Sequence, residues 1–278
     1  MKKYMYLMFV LALVSCADQL ALDEVQGGVS EVTPASDIQN LMEKAKQGNG
    51  QAYLKLADCY RDGKGVKKDF VGMLTMVSLA DHYRGINRIE DYLDSLPKDS
   101  EFKLLVDCMN NLENERMEET TDLIDSLVAS DSPDGYAVKG MSVMLRCDSL
   151  EAKRLFEIGA EKGSKLAELF LCFPDWRGAM KPNVEKLAAL TDRIPWTCLL
   201  LAGIYTGSEG NDMVDEELAA YYYLKADQQA CLTRRGARWL LSYMESGRDL
   251  HLNATDLERI KILAGEDYTE TVDTVEVQ

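Results

Sequence analysis

The chain is predicted to be all-α, a right-handed α/α solenoid of antiparallel helix pairs, and three observations lead there. Only six of its 278 residues are Pro, which leaves long stretches able to keep unbroken helical hydrogen bonding. Apolar residues recur at helical spacing on both sides of glycine turns. One spacing of an acidic residue followed by apolar residues also recurs along the chain, which is the mark of a repeat array.

From the N-terminus, Lys2 and Lys3 precede an apolar run from Met5 to Val14. This is the charged and apolar layout of an export signal, too short to span a bilayer, which takes about 20 helical residues. The run ends in Leu13-Val14-Ser15-Cys16, which resembles the bacterial lipoprotein signal. That resemblance implies cleavage after Ser15 and a diacylglyceryl thioether on Cys16, so residues 1–15 are expected to be lost. Two acyl chains anchor stably where one is marginal. Residues 16–35 hold Gly27-Gly28 and Pro34 without an apolar face, and read as a flexible tether. The globular part is expected to start at Ser36, which with Gln39 forms a capping box.

The clearest unit is 50–85. Ala52, Leu56 and Tyr60 share one helical face, Gly63 and Gly65 make a turn, and Asp69 is placed to cap the next helix. Met73, Met76, Val77 and Ala80 follow Asp69 at +4, +7, +8 and +11. The same offsets run from Asp148 to Ala152, Leu155, Phe156 and Gly159, and from Asp215 to Ala219, Tyr222, Tyr223 and Ala226. A weaker copy runs from Asn183 to Leu187, Leu190 and Thr191. Units are therefore assigned to 50–85, 135–163, 164–195 and 196–231, with a last helix pair at Trp239–Tyr243 and Asp256–Ala264. Residues 86–134 read as a divergent helical pair or hairpin of the same solenoid, and 266–278 as an acidic tail. The whole array is assigned to 36–265.

The unit at 50–85 resembles the Sel1-like repeat, a relative of the tetratricopeptide repeat, through Ala52, Leu56-Ala57, Tyr60, Gly63, Gly65-Val66, Asp69, Met76 and Ala80. Ala57 stands where that family has Gly. The resemblance implies stacked helix pairs whose first helices line an extended concave face suited to a partner segment. A cysteine-rich branch of the family includes members that bind or hydrolyse β-lactams, and it carries two Cys per repeat at a fixed spacing. This chain has about one per repeat and no shared offset.

The formal charge of −16 excludes a nucleic-acid groove binder and disfavours adsorption to anionic lipid, since both need clustered cations. Cys59, Cys108, Cys147, Cys172, Cys198 and Cys231 could make three disulfides, but several, notably Cys59 and Cys172, fall where helices pack, and the six are expected as buried thiols. No metal-ligand spacing occurs, and the two histidines, His82 and His251, are far apart. His82 is expected on the surface at a helix end, where a cation suits the dipole. Neither a nucleophile elbow nor a phosphate loop is present. Trp176, Arg177 and Trp196 lie in inter-helix connections and Tyr221 is free of the repeat's packing duties, so these four are the candidate partner contacts. Asp94-Ser95-Leu96, Asp125-Ser126-Leu127, Asp148-Ser149-Leu150 and Asp273-Thr274-Val275 resemble bacterial O-glycosylation sites.

The reading is a non-enzymatic, lipid-anchored protein-interaction scaffold of the bacterial cell envelope, held at the outer membrane on either its periplasmic or its surface face, with no cofactor, metal or nucleic acid. The alternative is an envelope enzyme or a glycan- or peptidoglycan-binding protein, such as a β-lactam-binding relative of the cysteine-rich branch.

Overall fold

A computed structural model describes residues 35–83, 89–114, 116–173, 182–207 and 213–265. The signal, Cys16, the tether, Trp176, Arg177 and the acidic tail lie outside them. Among the described residues the structure is helical throughout, with fourteen helices and no strand. In chain order they are α1 (Ala35–Lys46), α2 (Gly50–Asp62), α3 (Phe70–His82), α4 (Ile89–Ser95), α5 (Glu101–Glu113), α6 (Met117–Ala129) and α7 (Pro133–Leu145). Then come α8 (Ser149–Glu161), α9 (Lys165–Phe170), α10 (Val184–Leu190), α11 (Trp196–Tyr205), α12 (Glu216–Gln228), α13 (Arg234–Glu245) and α14 (Ala254–Ala264).

The starts of these helices are written in the sequence. Asp69 accepts from Gly72 N, Asp148 from Glu151 N, Asn183 from Lys186 N, and Asp215 from both Glu217 N and Leu218 N. Each carboxylate or amide thus satisfies backbone donors that have no partner within the helix. Ser100, Ser132, Ser164, Thr233 and Asn253 do the same for α5, α7, α9, α13 and α14. At the first helix the expectation shifts slightly: α1 begins at Ala35, so Ser36 lies in its first turn rather than ahead of it.

The ends share a device too. Gly48, Gly163, Gly207 and Gly247 adopt positive φ two residues past a helix, the left-handed turn that stops a helix at no steric cost to glycine. Asp131, Cys147 and Ala230 hold the same place after α6, α7 and α12 with φ of 58°, 69° and 55°. Cys147 is pushed out by that turn and is exposed, against the expectation that all six thiols are buried. The other five are buried, and none of the six is in a disulfide.

Consecutive helices pair: α2 with α3, α5 with α6, α7 with α8, α11 with α12 and α13 with α14. The first helices of successive pairs also stack, α5 on α7 and α7 on α9, which is how a solenoid builds its inner row. Small residues let the rows close. A Cβ on Gly140 of α7 would stand 2.6 Å from the Phe156 ring of α8, and Phe156 in turn stacks on Phe170 of α9 with centroids 4.8 Å apart.

The array departs from an open solenoid at α3. Nine of its thirteen residues are buried, on every side of the helix, and it packs against α9 as well as α2 and α4. Phe70 meets Phe102 of α5 edge-on at 5.3 Å, and Lys165 of α9 pairs with the Asp69 cap. A helix of this array therefore touches α5 and α9 of the inner row, on the side where a partner segment was expected. Its C-terminal end reaches the last helices. Tyr83 Oη donates to Leu232 O at 2.6 Å, and Arg234 N donates to His82 Nε2 at 2.6 Å. His82 is thus a partly buried acceptor joining distant units, not a surface histidine. Gly48 packs on Leu263 of α14 and on Tyr83. The chain folds back so that its first pair touches its last.

Candidate interaction surface

Exposed large apolar side chains cluster at the start of α12 among the described residues. Among the described residues six large apolar side chains are exposed, and four of them, Met213, Val214, Leu218 and Tyr221, fall within nine positions. Asp215 sets this local structure: its capping bonds start α12, and from that start Ala219, Tyr222, Tyr223 and Ala226 point inward. Leu218 and Tyr221 lie on α12 away from that inward stripe, and Met213 and Val214 precede its cap. Val214 sits over the backbone of Gly207, where an added Cβ would come within 2.9 Å of its Cγ2.

Tyr221 is 55% exposed and does not stand alone. Its ring meets Tyr222 edge-on at 5.0 Å, and Tyr222 stacks on Tyr205 of α11 at 5.8 Å. This aromatic line holds Tyr221 against α12 and reduces the entropy that a contact would have to overcome. Charge frames the patch. Asp215, Glu216 and Glu217 are exposed on its N-terminal side, with Arg248 of the α13–α14 connection paired to Glu216 at 2.9 Å. Toward the other end Lys225 bonds Thr191 and Asp192, and the Asp192 carboxylate raises the ammonium's pKa.

Trp196 is not part of this surface. It is 4% exposed because α11 begins at Trp196 itself: the short Arg193–Pro195 connection turns the chain so that the indole faces the core. Trp176 and Arg177 lie outside the described residues. Of the four candidate contacts, the described surface keeps Tyr221. Met213, Val214 and Leu218 went unrecognised because the repeat pattern marks only inward positions; the readable signal was apolar residues flanking the Asp215 cap outside that pattern.

Burial pushes the Cys172 thiol up to about 11 and the Cys108 and Cys198 thiols to about 12, and raises Cys231 further, so these four are protonated at neutral pH and poor nucleophiles. Among the described residues no group of three His, Cys, Asp or Glu is placed to hold a metal ion. A shallow hollow of about 500 Å³ lies between Gln47 and the α14 residues Ala254, Thr255, Glu258, Arg259 and Ile262. Arg259 there is engaged by Asp227 and Asp256.

A second polar centre is internal, where the N-termini of α3, α5, α7 and α9 converge. Ser132 Oγ donates to Glu101 Oε1 and Ser164 Oγ to Asp134 Oδ1, both at 2.5 Å, beside the Lys165–Asp69 pair. Desolvation, with Asp69 and Glu101 nearby, lifts the Asp134 carboxyl to about 6 against the bond from Ser164. Both serines and Asp69 are also helix caps, so the centre ties four helices together.

No family model matches the chain, and no curated protein does. One solved structure is similar, the crystal structure of c5321, a protective antigen present in uropathogenic Escherichia coli strains displaying an SLR fold. It is 17% identical, with a TM-score of 0.37 over 84% of this chain and 48% of that one. The chain thus spans about half the length of that protein.

Proposed function

We propose that this protein is a non-enzymatic, lipid-anchored interaction scaffold of the Sel1-like kind in a bacterial envelope, binding its partner through the exposed apolar cluster at the start of α12. The observation that carries the binding surface is the cluster of Met213, Val214, Leu218 and Tyr221. Exposed apolar residues grouped together, rimmed by charge, are the usual anatomy of a contact site. Their acidic rim favours a partner segment that combines apolar side chains with Lys or Arg. Burial of the area that Leu218 and Tyr221 still expose would contribute about 1 kcal/mol each.

Anchoring rests on the Leu13-Val14-Ser15-Cys16 signal; no described helix is long and apolar enough to cross a membrane. In this reading 1–15 is the signal, 16–35 the tether and 36–265 the array, with acylated Cys16 holding it at the outer membrane. A photo-crosslinking residue at position 221, compared with one at exposed Leu150, tests the surface in intact cells. Capture of a discrete partner from 221 alone supports it, and identical capture from both positions removes it. Palmitate labelling that persists in Cys16→Ala would overturn the anchor.

A further inference from the structure

Among the described residues, Arg234, Arg235 and Arg238 of α13 have no acidic partner, and outside α13 the same holds for Arg146. Arg61, Arg116, Arg154, Arg193, Arg248 and Arg259 each pair with a carboxylate, as expected in a chain with 47 acidic residues. No carboxylate among the described residues pairs with Arg234, Arg235 or Arg238. Two of the three converge. Arg238 Nε donates to Ala264 O at the end of α14, and a Cβ placed on Gly265 would lie 3.6 Å from Arg238 Nη2 and 4.0 Å from Arg234 Nε. Arg234 Nε is buried and has no hydrogen-bond partner among the described residues, an unfavourable state for a charged group. Gly265 itself holds φ +100°.

Beyond Gly265 the sequence continues with Glu266-Asp267, the first two of five acidic residues in 266–278. We propose that Arg234 and Arg238 form a carboxylate-binding site whose ligand is this acidic segment of the same chain, docked through Glu266 and Asp267. Three things support it: opposite charge, a guanidinium fork suited to carboxylate, and the position of Gly265, the residue before Glu266, beside both arginines. The Arg234 backbone already bonds His82, so the docked segment also braces the seam between the first and last helix pairs.

A thermal-melt cycle on the full chain tests this. Glu266→Gln with Asp267→Asn, and separately Arg234→Gln with Arg238→Gln, are each expected to lower Tm by about 2–4 °C. The fourfold variant should melt no lower than the arginine variant. Additive losses, or an unchanged Tm in the acidic variant, would overturn the proposal. Because Arg238 also bonds Ala264, a second readout uses folded arginines: the Arg234 Nε–H NMR resonance should shift in the acidic variant, and its failure to move counts against docking. Inorganic phosphate separates an internal ligand from a free anion. It should bind the acidic variant at least ten-fold more tightly than the wild type; equal binding would show an open anion site and overturn the assignment to residues 266–278.

Discussion

Tryptophan 196 and tyrosine 221 differ in what a substitution reports. Trp196 is buried at the start of α11, so Trp196→Ala is expected to cost about 3–5 kcal/mol through the cavity it leaves, read as a large fall in melting temperature. Tyr221→Ala should leave stability within about 0.5 kcal/mol while weakening partner capture by about ten-fold or more. A loss of binding in both variants with unchanged stability in both would contradict the placement of Trp196. The cysteines divide in the same way. Only exposed Cys147 should react quickly with a thiol reagent in the native protein, and the other five described cysteines should need unfolding; mass spectrometry of the modified native protein counts the adducts.

Elements in this protein meet through small residues and shared caps. Gly140→Ala places a methyl 2.6 Å from Phe156, in the layer where Phe156 stacks on Phe170. Aromatic rings held between helices have little room to move, so a loss of about 1–3 kcal/mol is expected; an unchanged denaturation midpoint would show that the α7–α8 contact is looser than the structure has it. Caps were legible because the residue and the donors it satisfies lie two or three positions apart, as at Asp69 and Gly72. The role of α3 was legible in part. Met73, Met76, Val77 and Ala80 gave one stripe, but Phe70, Val71 and Leu79 make the rest apolar as well, and a helix apolar all round is a buried helix. α11 carries the same signal.

At the scale of the whole molecule, the centre at Asp134 makes stability depend on pH. The folded-state pKa of about 6 lies above the ordinary carboxyl value near 3.9, so the folded protein holds this proton more tightly than the unfolded chain does. This group therefore favours folding most below about pH 4, and its contribution is lost as pH rises through 6. Asp134→Asn keeps an acceptor for Ser164 and removes the charge. It should raise Tm at pH 7 and flatten the pH dependence between 4 and 6; a lower Tm at pH 7 would show that the charge is needed by the four converging helices. The seam from Tyr83 and His82 to Leu232 and Arg234 adds a second expectation. Hydrogen exchange at Arg234 N should be slow, and faster in Tyr83→Phe, which keeps the ring and removes only the donor to Leu232.

What the amino-acid sequence determined by itself is the local grammar: all-helical structure, where helices start, and which face of each turns inward. Those features depend on backbone donors and side chains within about a turn of one another, and their spacing is visible in one dimension. Only the tertiary structure decided that α3 touches α5 and α9 of the inner row, that Trp196 faces the core, that Tyr221 belongs to an exposed apolar patch, and that the first pair returns to the last. Each of those depends on residues far apart in the chain, Tyr83 and Leu232 being 149 positions apart. Helical periodicity shows that a face is apolar, but the neighbour that covers it is chosen by packing.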